Sequence, residues 1–84
     1  MNKEQALHYA VTGRELEFYK GDKLFASLTY FQKDGHRWVS FCYAYQDTVD
    51  YPLEDFDKLW VSPYHNKTVG EIIESFPEED IVIY

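Results

Sequence analysis

The chain has 84 residues, the size of one domain spanning 1–84, and its 45% hydrophobic content with six Phe, eight Tyr and two Trp supplies one core and speaks against disorder. The net charge of −7 is unevenly spread: residues 1–45 hold six Lys/Arg against five Asp/Glu, and residues 46–84 hold two Lys against ten acids. A field of that sign repels phosphate backbones and suits a basic protein surface, so direct nucleic-acid binding is disfavoured.

No apolar run nears the roughly 20 residues of a bilayer span. Met1 to Gln5 lacks an apolar stretch with a small-residue cleavage site. The single cysteine, Cys42, excludes an intrachain disulfide. Together these predict a reducing, cytoplasmic setting.

Asn2, with Gln5 three residues on, predicts the start of a short helix. Leu7, Ala10 and Val11 fall on its apolar face, and Gly13 is a natural stop. Glu15–Phe18 alternates polar and apolar, as a half-buried strand does. Lys20-Gly21-Asp22-Lys23 signals a turn. A longer strand is predicted from Leu24 to Gln32, with Leu24, Ala26, Leu28 and Tyr30 on one face and Phe25, Ser27, Thr29 and Phe31 on the other. Asp34-Gly35 favours a tight hairpin into a third strand, Arg37 to Gln46. Val39, Phe41, Tyr43 and Tyr45 form one of its faces, and Trp38, Ser40, Cys42 and Ala44 the other.

Residues 47–67 admit two readings. Pro52 can open a helical turn with Leu53, Phe56 and Trp60 inward. Alternatively Lys58–Ser62 is a strand ended by Pro63. The expectation is a turn or 3₁₀ piece followed by a short strand. Thr68 and Glu71 match a capping box, and Val69, Ile72, Ile73 and Phe76 give a helical apolar stripe ended by Pro77. Glu78-Glu79-Asp80 reads as a charged connector, and Ile81–Tyr84 as a closing strand. The predicted fold is α+β: an antiparallel β-meander of about four strands, with an N-terminal helix and a C-terminal helix packed on the sheet.

Motifs for chemistry are weak. His8, His36 and His65 lack metal-site spacing, so no metal or cofactor is predicted. Fifteen acids crowd without sign of the desolvation that a catalytic pair needs. Cys42 has no helix N-terminus beside it to activate it as a nucleophile. The glycines are scattered singly, which removes a phosphate loop. The expectation is a non-enzyme.

The strongest feature is acidic. Asp47, Asp50, Glu54, Asp55 and Asp57 interleave with Tyr51, Leu53 and Phe56, and Glu78, Glu79 and Asp80 follow near the end. Carboxylates set among exposed rings can take the places of phosphates in a basic cleft, with the rings as anchors. The expected function is a small protein-binding inhibitor, in its sharpest form a nucleic-acid mimic of the kind phages encode against nucleic-acid enzymes. The alternative is an immunity- or antitoxin-like module, or an allosteric inhibitor, that binds through outward aromatics of the meander. A small metal protein or enzyme using the three histidines ranks third.

Overall fold

The computed structural model describes residues 1–43 and 47–84. Helix α1 runs Lys3–Val11. Asn2 Oδ1 accepts the Gln5 N–H and Gln5 Oε1 accepts the Asn2 N–H, both at 2.9 Å, so two orphan donors are satisfied reciprocally. The helix ends in a Schellman arrangement. Arg14 N–H reaches Tyr9 O at 2.8 Å, Gly13 N–H reaches Ala10 O, and Gly13 takes φ 75. Its buried stripe is Ala6 and Ala10, with Leu7 half-buried; Val11, expected on that face, is exposed.

Strands β1 (Leu16–Lys20), β2 (Lys23–Lys33) and β3 (His36–Tyr43) form the predicted meander. Gly21 at φ 64 closes the first hairpin. Asp34 and Gly35, at φ 54 and 77, close the second between paired Lys33 and His36, as a type I′ turn requires. The expected residues Ala44, Tyr45 and Gln46 lie outside the described residues.

The register between β1 and β2 shifts at Phe18/Tyr19, where Tyr19 pairs with Leu24 and leaves Phe25 as the extra residue. This bulge breaks the expected alternation. Phe25 turns into the core side, against Tyr43 and Phe76, and Leu24 takes the outer side.

The fourth strand lies where a loop was expected. Strand β4 (Thr48–Pro52) pairs with β3, placing Val49 and Tyr51 on the core face opposite Phe41 and Val39. As an edge strand it tolerates Asp50 and the terminal Pro52. A 3₁₀ turn at Leu53–Asp55 then leads into helix α2, Phe56–Trp60, which replaces the expected strand at Lys58–Ser62. Phe56 and Leu59, three apart, bury the same side of α2.

A small ribbon of β5 (Pro63–Tyr64) and β6 (Lys67–Thr68) precedes α3, Val69–Glu74. Thr68 caps α3 as predicted, with Oγ1 accepting Glu71 N–H and Glu71 Oε1 accepting Thr68 N–H. Glu78–Asp80 is a 3₁₀ turn, and β7 (Ile81–Ile83) pairs with β1.

The result is a five-stranded antiparallel sheet in the order β4-β3-β2-β1-β7, with the helices on one face. The core rows run across the strands: Val49–Phe41–Leu28–Leu16–Ile83 and Tyr43–Ala26–Phe18–Ile81. Ala6 and Ala10 of α1, Phe56 and Leu59 of α2, and Val69, Ile72 and Ile73 of α3 join the same cluster. No described helix is long and apolar enough to cross a membrane.

Candidate protein-interaction surface

Since strand side chains alternate, the residues between the core rows point to the opposite face. One row there crosses all five strands: Thr48–Cys42–Ser27–Glu17–Val82. Two shorter rows lie beside it, Asp50–Ser40–Thr29 and Pro52–Trp38–Phe31. All three helices bury their side chains on the core face, so this second face has no covering layer among the described residues. Its centre holds short side chains, the half-buried Ser27, Thr29 and Cys42 around the buried Ser40. Its hairpin end carries an aromatic pair: Phe31, 37% exposed, stacks on Trp38 at 6.0 Å with planes 18° apart, and Lys33 Nζ lies 5.6 Å from the indole centre.

Toward β1 and β7 the face holds a tight acidic knot. The Tyr19 and Tyr84 hydroxyls both donate to Glu17 Oε1 at 2.7 Å. These bonds stabilise the carboxylate and hold the Glu17 carboxyl below its usual range, with the Tyr19 bond the larger cause. In return the Glu17 bond pushes the Tyr19 phenol up to about 12. Tyr84 is raised as well, chiefly by its bond to Glu17.

The acids picked out by sequence are not gathered into one patch. Asp47, Asp50, Glu54, Asp55 and Asp57 follow the β4 edge into α2, whereas Glu78, Glu79 and Asp80 sit in the turn before β7, the opposite edge. Four strand spacings separate those edges, roughly 19 Å at about 4.8 Å each. Asp50 accepts a bond from Thr48 Oγ1 at 3.3 Å and projects on the uncovered face. Glu79 and Asp80 border a groove with Tyr19 and Val82 on the same face. Glu78 turns the other way, beside Met1, Gln5 and Tyr9. Asp57 pairs with Lys3 at 2.8 Å and Asp55 with Lys58 at 3.7 Å, both near solvent.

The rings of the acidic segment do not serve as expected. Phe56 is 2% exposed and belongs to the core, because α2 turns it inward. Tyr51 is half-buried on the core face of β4. On the uncovered face the aromatics open to a partner include Phe31 and the half-buried Trp38. Sequence reasoning grouped Phe31 with Ser27 and Thr29, and Trp38 with Ser40 and Cys42, without fixing which face points outward, and did not join them to the acids, since nothing local in the sequence reveals strand order.

Among the described residues no group of three or more His, Cys, Asp and Glu side chains is placed to hold a metal ion. His8 packs on Tyr9, and His65 packs edge-on against Tyr64. Cys42 is half-buried near the end of β3. No protein-family model, curated protein or solved structure matches this chain.

Proposed function

We propose that this chain is a small protein-binding module, an inhibitor or adaptor, that docks the uncovered face of its sheet on a basic surface of a partner. The observation that carries this reading is the cross-strand row from Thr48 to Val82, with Asp50 beside one end and Glu79 and Asp80 beside the other. Acids along the rim of a flat face steer a cationic partner and set its register. Phe31 and Trp38 add rigid apolar area of the kind that anchors interfaces.

The nucleic-acid-mimic form of the reading draws on the exposed Asp47, Asp50 and Glu54, which follow one another along the β4 edge. Against it, Asp55 and Asp57 are engaged by lysines and Phe56 is internal. Docking through the sheet face is therefore the better-supported form.

The test is partner capture from the native host by wild type and variants, repeated at low and high salt. Ser27→Arg in the middle of the face is expected to abolish capture of the wild-type partner, and the exposed Val61→Ser on α2's far end to retain it. Charge reversal at Asp50 and Glu54 should weaken capture mainly at low salt. Retention of the partner by Ser27→Arg would defeat the reading. Competition of the captured partner with nucleic acid, lost on that charge reversal, would instead establish the mimic form.

A further inference from the structure

A second site lies on the other side of the sheet, where the open end of the β2–β3 hairpin, beside the β1–β2 turn, meets the β5–β6 ribbon and the end of α3. It is a cleft of about 340 Å³, within the size of pockets that hold small ligands. Its walls are aromatic. Phe25 meets Tyr43 edge-on at 4.3 Å and Phe76 at 5.9 Å, and Tyr43 meets Tyr64 at 5.7 Å. Its rim is nitrogenous: Lys20, His65 and Lys67 border it, and none of its lining residues is acidic. In a chain of net charge −7 this local sign is opposite to the whole.

Lys20 Nζ already rests 4.0 Å from the centre of the Phe25 ring. That ring face is thus satisfied by a resident cation. A cationic ligand would meet repulsion from Lys20 and Lys67 and would find its best aromatic face taken. His65, at the tip of the ribbon, holds φ 59. That is the backbone required by the two-residue His65-Asn66 turn between paired Tyr64 and Lys67. The turn sets the imidazole against Tyr64 at 4.8 Å and Tyr43 at 6.1 Å, on the cleft wall.

We infer that this cleft binds a small planar aromatic anion, with the ring packed on the Tyr43, Tyr64 and Phe76 side chains that line it and the carboxylate or phosphate at Lys20, Lys67 and His65. The ring is held by edge and face contacts, and the anion by charge-assisted hydrogen bonds, which are stronger than neutral ones. This site is separate from the sheet face proposed for protein docking, so either can fail without the other.

The probes are phenylacetate, phenyl phosphate and the neutral phenylacetamide, titrated into the ¹⁵N-labelled protein. Saturable amide shifts at Lys20, Phe25, Tyr43, His65 and Lys67 are expected with both anions, and their relative affinity tells carboxylate from phosphate. The amide should bind about tenfold more weakly. Lys20→Gln and Lys67→Gln, both at surface positions, should each weaken the anions by roughly 1.5-fold to fivefold while leaving the rest of the spectrum unchanged. Equal binding of phenylacetate and phenylacetamide would overturn the proposal. So would shifts centred elsewhere, or no saturation below about 10 mM.

Discussion

Gly70 lies directly beneath the indole of Trp60. A Cβ on residue 70 would fall 2.5 Å from Trp60 Cε2 and 2.7 Å from Cδ1, closer than real side chains approach. The glycine is the second residue of α3, and Trp60 closes α2, so the contact sets how near these two short helices come. Gly70→Ala would ordinarily favour a helix. Here the stiff ring, itself packed on the core, has to move. The substitution is expected to destabilise the fold by about 1–3 kcal/mol, the range for overpacking. Urea unfolding followed by tryptophan fluorescence measures it. The loss should shrink when Trp60 is first replaced by Leu, because the coupled atoms are then gone.

The bulge in β2 makes opposite predictions for two neighbouring residues. Strict alternation puts Leu24 inside and Phe25 outside, whereas the structure does the reverse. Leu24→Lys should then cost under about 0.5 kcal/mol, as outward substitutions do. Phe25→Ala removes contacts with Tyr43 and Phe76 and should cost about 1–3 kcal/mol, below the value for a fully buried ring because Phe25 is only half-buried. Denaturant midpoints for the two variants test the register directly.

The same pair shows where sequence reading works and where it stops. Asp34-Gly35 fixes a hairpin because only a few residues accept two consecutive positive φ values, and Asn2/Gln5 and Thr68/Glu71 announce helix starts by hydrogen bonds made within four residues. Such local chemistry is legible. The shift at Phe25 is not, since the bulge is decided by what packs on the sheet there, namely Phe76 just beyond α3. Strand β4 escaped for a related reason. Asp47 and Asp50 make the segment look like a solvated loop, but Asp47 precedes the strand and Asp50 sits on its outer face while Val49 and Tyr51 face the core. The helical-turn reading had Phe56 inward, as found, whereas the acidic-surface reading had it exposed. The candidate surface suffered most, because uniting Thr48, Ser27 and Val82 in one row requires the strand order.

The knot of Glu17 with Tyr19 and Tyr84 predicts a pH signature at both ends of the scale. The folded Glu17 carboxyl titrates below its ordinary value of 4.5, so its contribution is complete above 4.5 and is lost as pH falls through the lower folded value. Tyr19 shifts the other way, from 10.0 up to about 12, so its contribution is present below 10.0 and is lost as pH rises through about 12. Glu17→Gln removes the charged acceptor. The Tyr19 phenol should then titrate back toward 10.0, as read from its ¹³Cζ shift, and the stability loss at acid pH should flatten. A Tyr19 titration near 12 in Glu17→Gln would refute the assignment.

Tyr64 ties the start of β4 to the ribbon: its hydroxyl donates to Asp47 O at 2.6 Å while its ring is buried against Phe41 and Tyr43. Burial raises its phenol above the ordinary value, since the phenolate would lose water there. Tyr64→Phe keeps the ring contacts and deletes only the bond. Asp47 is exposed, so its carbonyl can turn to water, and the expected cost is the modest net value of a hydrogen bond, about 0.5–1.5 kcal/mol. A local readout separates this from a general loosening. Amide exchange in β4, at Val49 and Tyr51, should quicken more than at Leu28 in the sheet centre. The variant should also lose part of the alkaline instability of the wild type, because a fold that holds Tyr64 protonated loses stability as pH rises through the raised value. Uniform acceleration across the sheet would show instead that the ring packing, and not the hydroxyl, holds β4 in place.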